Sequence, residues 1–178
     1  MEKGFTLIEM LIVFVIIGII STVLFLGTSS AEEKLALSRS AYQLMQDLRN
    51  VQEMAMGAGE TVCDPDSTSL HSFGVYFHEN QYPNSYLIFA DCNGNKAKDS
   101  PTENIREVQL EEGVIIQNIS PNLSTEVVFL PPNPKVYINK KEWTGDVCEV
   151  TLALESDPSD PDKQKIVSIN SAGMIEIE

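Results

Sequence analysis

The pattern of hydrophobic and polar positions changes period twice along the chain. Residues 10–26 contain no charge and no proline. The apolar stretch around them is about 20 residues long, enough to cross a hydrocarbon core of ~30 Å. No turn signal follows it. Ala41, Leu44, Met45, Leu48, Val51, Gln52 and Ala55 then recur at steps of three and four. That is the period of an amphipathic helix, with Asp47, Arg49, Asn50 and Glu53 assigned to the opposite face. Gly57 and Gly59 supply a stop. One helix over 5–56 is expected, roughly 75 Å long at about 1.5 Å per residue. Gly18 and Gly27 are the points where it can soften.

From Ser72 the pattern becomes short β-rich runs separated by turns. Residues 73–77 and 85–90 read as strands, with 79–84 turning between them. Further strands are expected over 106–110, 114–119, 127–130, 136–138, 149–154 and 165–169, and a last one over 174–177. Pro131-Pro132-Asn133-Pro134 is a rigid break, and no internal repeat is evident. One long helix followed by many short strands predicts an α+β fold. In it, the C-terminal half of a membrane-spanning helix packs on an antiparallel β-sheet head.

A single acid, Glu9, interrupts what is otherwise a clean membrane helix. A carboxylate there costs roughly 2.5–3.5 kcal/mol on insertion scales, so it normally has a partner and a purpose. A secretory signal peptide would have a shorter apolar core followed by a small-residue cut site. An ordinary anchor explains the hydrophobicity but neither Glu9 nor the junction Gly4-Phe5. The contiguous run Gly4-Phe5-Thr6-Leu7-Ile8-Glu9 after Lys3 resembles the amino terminus of type IV pilins and of type II secretion pseudopilins.

In the head, the run 86–95, Glu103-Asn104-Ile105 and 110–114 are similar to the GspH/FimT-type branch of minor pilins. Phe129-Leu130-Pro131-Pro132 and the closing run 169–173 extend that similarity. The resemblance implies cleavage by prepilin peptidase between Gly4 and Phe5, with N-methylation of Phe5. It implies that Glu9 pairs with the Phe5 amine of a staggered neighbour and sets the register of a helical filament. The expected division is leader 1–4, membrane and filament-core helix 5–30, amphipathic helix 31–59 and β-rich head 60–178. The expected location is a single pass of the inner membrane with an extracytoplasmic head, then a pilus or pseudopilus. The implied partners are other pilins or pseudopilins, the peptidase, an inner-membrane assembly platform, and lipid before assembly. Two departures matter. No proline interrupts the membrane helix, which weakens a major-pilin reading, and no basic C-terminal tail suits DNA uptake.

The 178 residues suggest one domain plus its anchor. The formal net charge of −14 disfavours nucleic acid, whose affinity comes largely from Lys and Arg neutralising phosphates. Three cysteines, Cys63, Cys92 and Cys148, all follow the apolar segment, so an oxidising compartment would bridge one pair and leave one thiol. Spacing does not say which pair. No C-x-x-C supports a zinc ribbon or a redox motif.

Asp91, Asn93, Asn95 and Asp99 place oxygen ligands at alternating positions, echoing the start of a calcium loop. Against calcium, Lys96 stands where glycine is expected, and Glu103 falls one place late. The plainer reading is a polar loop whose Asp, Asn and Gly satisfy turn geometry. A second acidic loop, 157–162, could also gather a cation, but the plainer expectation is a solvated and mobile segment. Enzymatic signals are lacking. His71 and His78 have no nucleophile motif around them, and there is no phosphate-binding loop and no H-E-x-x-H. Trp143 is expected to anchor packing or an interface. The leading expectation is a structural subunit, a minor pilin or pseudopilin. The alternatives are a major pilin, a membrane-tethered calcium-dependent binding module and, behind both, a DNA-uptake pilin.

Overall fold

The computed structural model describes residues 6–57, 72–131, 135–145 and 147–178, with the side chains of 23–29 left undescribed. The chain divides into two compact units, Met1–Leu35 and Ala36–Glu178. Helix α1, Leu7–Met56, contributes to both. It continues through Gly18 and Gly27, so neither glycine breaks it.

In the first unit the helix begins at a cap. Thr6 Oγ1 accepts from the Glu9 backbone N–H at 3.3 Å, and the Thr6 carbonyl accepts from the same N–H at 3.1 Å. The capping satisfies a donor that a helix start leaves orphaned. Thr22 Oγ1 bonds back to the Gly18 carbonyl at 2.9 Å, which hides its hydroxyl in an apolar stretch.

In the second unit Leu37, Ala41, Leu44, Leu48, Val51 and Ala55 of α1 form a buried stripe at steps of four and three. Against it, among the described residues, lie ten strands. They are β1 (Ser72–His78), β2 (Ser85–Asp91), β3 (Asn104–Gln109), β4 (Val114–Ser120), β5 (Ser124–Leu130), β6 (Lys135–Ile138), β7 (Lys141–Glu142), β8 (Val147–Leu154), β9 (Gln164–Asn170) and β10 (Ile175–Ile177). They form two antiparallel sheets rather than the single one expected. One has the order β3-β2-β1-β5-β6-β7 and the other β10-β9-β8-β4. The chain crosses to the second sheet at β4, returns at β5, and crosses again at β8. Inner residues of both sheets and the helix stripe share one core, which includes Phe73, Phe77, Tyr86, Ile116, Leu152 and Ile169. Fully burying each such large side chain is worth about 1.5–3 kcal/mol.

Asp47 corrects the helix reading. It is buried at 7% exposure, not on the outward face with Arg49, Asn50 and Glu53. Its carboxylate accepts from Tyr86 Oη of β2 at 2.7 Å and Arg106 Nη2 of β3 at 2.8 Å. Two sheet donors make the burial of this charge tolerable, one of them a charged guanidinium. Ser40, also buried, accepts from the Glu111 backbone N–H at 3.0 Å. Polar contacts thus hold the helix in register on the sheet, where apolar packing alone would tolerate sliding.

Candidate assembly and binding sites

The amino-terminal candidates come first. Gly4 and Phe5 lie outside the described residues, immediately ahead of the Thr6 cap. Glu9 is exposed in the first turn of α1, where the helix dipole favours a carboxylate. Around it Leu7, Ile8, Met10, Leu11, Phe14 and Ile19 are all exposed, Leu7 to 84% and Phe14 to 68%. From 7 to 20 the helix is apolar on every side except at Glu9. A surface of that extent requires lipid or protein around it. Among the described residues no helix is long and apolar enough to cross a membrane.

The predicted ligand loop is the next candidate. The structure does bring Asp91, Asn93, Asn95 and Asp99 together, but their oxygens already have protein donors. The buried Asp91 carboxylate accepts from Ser72 Oγ at 2.7 Å, Asn95 N–H at 3.1 Å and Lys96 N–H at 2.8 Å. Asn93 Oδ1 accepts from the Asn95 N–H at 3.0 Å. Asp99 accepts from the side-chain amides of Asn93 and Asn95, and Lys140 Nζ stands 3.8 Å away. These amide bonds hold the Asp99 carboxyl below the usual carboxylate range. Glu103 caps the far end, accepting from the N–H groups of Asp99 and Ser100. Among the described residues no group of three or more His, Cys, Asp or Glu is arranged to hold a metal.

What the loop does instead is cover the outer face of the six-stranded sheet. That face carries a second small core of Phe89, Val128 and Tyr137, flanked by Tyr76 and Leu130. Lys96 Nζ sits 4.1 Å from the Tyr137 ring centroid, and Lys98 Nζ 5.3 Å from that of Tyr76. The Lys98 N–H donates to Glu126 Oε1 of β5 at 3.2 Å. Burial raises the Glu126 carboxyl above its ordinary range, partly offset by that bond. Reading the sequence for ligands missed these lysine–tyrosine stacks. The partners lie 41 residues apart (Lys96 and Tyr137) and 22 apart (Lys98 and Tyr76), and no local pattern links them.

Cys92 is disulfide-bonded, Cys148 is a buried free thiol, and Cys63 lies outside the described residues. Burial, with a smaller contribution from the Glu149 charge, pushes the Cys148 thiol up to about 12. The acidic loop 157–162 makes bonds within itself. Asp160 accepts from the Asp162 N–H at the start of a 3-10 turn, Pro161–Lys163, and Lys163 Nζ lies 3.6 Å from Asp157. Trp143 packs against the main core. His78 Nδ1 accepts from the Gln81 N–H in a surface turn, and His71 lies outside the described residues.

Residues 1–25 match the model of the prokaryotic N-terminal methylation motif. The chain carries the type IV pilin and pseudopilin signature. That signature marks a pilin-like subunit processed by prepilin peptidase, and a structural protein that is membrane-anchored or associated with a pilus. No curated protein and no solved structure matches the chain.

Proposed function

We propose that this pilin-like chain is a minor pilin or pseudopilin, cleaved between Gly4 and Phe5 and methylated on Phe5. It then assembles through α1 into a helical filament that it primes or caps. The observation that carries the reading is the apolar surface over 7–20, exposed all round and broken by one carboxylate, directly behind the methylation motif. Before assembly, lipid covers that surface in a single pass. After assembly, neighbouring helices cover it. Glu9 supplies the polar contact that apolar helices need in order to stop at one stagger. Its partner is the Phe5 amine of a neighbour, freed by cleavage. In a low-dielectric bundle an unmatched charge is penalised heavily, so only the register that pairs them persists. The minor role is favoured by the head's similarity to the GspH/FimT branch and by the absence of proline within 7–56.

The deciding experiment is mass spectrometry of the amino-terminal peptide from sheared surface material and from membranes. Methylated Phe5 at the terminus supports the reading, and an intact Met1 terminus in both fractions overturns it. The competing calcium-dependent binding module has a separate discriminator. It requires millimolar calcium to raise the melting temperature. A loop whose carboxylates are already bonded to backbone and amide donors leaves it unchanged.

A further inference from the structure

The indole Nε1 of Trp143 is shielded from solvent and has no hydrogen-bond partner. Buried indole N–H groups usually find an acceptor, and one left unpaired forfeits the bond that water would have given it. The ring is not free to turn toward one. Its own backbone N–H donates to the Val136 carbonyl at 2.8 Å, and the ring packs against the main core. Gly145 passes so close that a Cβ there would stand 2.5 Å from Cζ2 of the indole. The ring is thus fixed in place with its one donor unspent, and such a group in a folded chain calls for an explanation.

The same residue lines a cleft of about 460 Å³ at the end of the six-stranded sheet, where the β4–β5 turn faces β7 and the residues after it. That volume falls within the range of small-molecule sites, about 300–1,000 Å³. Two polar side chains of the cleft are committed within the fold. Asn139 accepts from the Glu126 N–H at 3.0 Å and donates to the Ser124 carbonyl at 3.5 Å, while Glu142 pairs with Lys135 at 2.8 Å. Three others are uncommitted. Among the described residues, the side chains of Asn122, Lys141 and Thr144 form no hydrogen bond or ion pair, and all three residues are exposed.

We propose that this cleft binds a sugar acid, a pyranose ring that carries a carboxylate. The uncommitted groups select that chemistry. Trp143 Nε1 and the Lys141 ammonium only donate, whereas the Asn122 amide and the Thr144 hydroxyl both donate and accept. Sugar hydroxyls answer the second kind, since each also donates and accepts. A carboxylate answers the first, because a charged acceptor makes the stronger bond to an ammonium. With Glu142 held by Lys135, Lys141 is the cleft's uncompensated charge. The acceptor for Nε1 has to enter past Thr144, because solvent does not reach it. Trp143 and the buried Ile138 supply the apolar wall for the ring's C–H groups. The cleft lies wholly in the second unit, so the inference goes beyond the subunit reading and does not depend on it.

Trp143 is the single tryptophan of the chain, so its emission reports on the cleft directly. The test titrates full-length protein, in a detergent without a sugar headgroup, with galacturonate, galactose and acetate. Galacturonate should shift the emission saturably, while galactose and acetate at the same concentrations leave it unchanged. Lys141→Gln should weaken galacturonate binding severalfold. Trp143→Phe keeps a ring but loses the donor, and should weaken it likewise when binding is followed by calorimetry. If that variant fails to fold, the exposed Lys141 still carries the test. Oligogalacturonate binding more tightly than the monomer marks a polysaccharide as the source, and equal affinity marks a free sugar; either upholds the site. A response to galactose or acetate equal to that with galacturonate overturns the inference, as does undiminished binding by Lys141→Gln. So does silence toward galacturonate at high millimolar concentration. Saturation by an N-acetylated dipeptide in its place also overturns it, by assigning the cleft to a chain terminus.

Discussion

At the scale of single residues, space and capping explain more than charge does. Gly74 lies opposite Phe89 in the β1–β2 ladder. A Cβ there would come within 2.7 Å of the Val127 carbonyl and 2.8 Å of the Phe89 ring. The backbone contact cannot yield cheaply, and the ring belongs to the core beneath the loop. Gly74→Ala should therefore destabilise the head by about 1–3 kcal/mol, the usual cost of overpacking, despite the backbone entropy that alanine saves. A lower urea midpoint with an unchanged slope would show it. Thr6 and Glu9 illustrate capping. The pattern Thr-x-x-Glu caps α1 at Thr6, the residue next to Phe5 in the sequence. The signal that begins the helix and the signal read by the peptidase share the same few residues.

At the scale of elements, hydrogen bonds lock the helix and the long loop onto the sheet. Tyr86→Phe removes one of the two sheet donors to Asp47 and leaves a buried oxygen underbonded. The expected cost is about 1–3 kcal/mol, measured by chemical denaturation of the full chain in detergent. The Tyr86 hydroxyl is held protonated far above the physiological range, by burial first and then by its bond to Asp47, so this contact does not respond to pH near neutrality. Glu126 behaves differently. Its carboxyl titrates higher in the folded chain than in the unfolded one, so folding binds the proton more tightly. The associated stability is present below the unfolded value and is lost as pH rises through the folded one. Glu126→Gln keeps an acceptor for the Lys98 N–H and removes the charge. Its melting temperature relative to the parent should increase as pH is raised from 4 to 7. A constant difference across that range would show that burial of the carboxylate carries no penalty.

At the scale of the whole molecule, the protein combines a head that buries its apolar residues with a helix segment that exposes them. The stripe from Leu37 to Ala55 finds its cover within the chain, whereas residues 7–20 do not. Within the assembly reading, Glu9→Ala should leave membrane insertion intact, because it removes the only charge within 7–20. Incorporation into sheared filaments should fall sharply, since alanine provides no partner for a neighbouring amine. Quantifying this subunit in membrane and sheared fractions checks both halves, and undiminished incorporation would remove the register role.

Much of this was legible along the chain because helix and strand period are local properties. The helix expected over 5–56 is observed as Leu7–Met56, and nine of the ten strands lie within a few residues of their expected limits. The two-residue β7 escaped because Lys141-Glu142 has no alternation to read. By itself the sequence determined the amino-terminal motif, the exposed apolar run, the buried stripe and the order of elements, each set by neighbours a few residues away. Tertiary structure alone decided that the strands divide into two sheets and that Asp47 faces inward to Tyr86 and Arg106. It also decided that the Asp91 loop closes on its own donors, with Lys96 and Lys98 resting on Tyr137 and Tyr76. Those outcomes depend on groups brought together from distant parts of the chain, where periodicity specifies which face is buried but not what it meets.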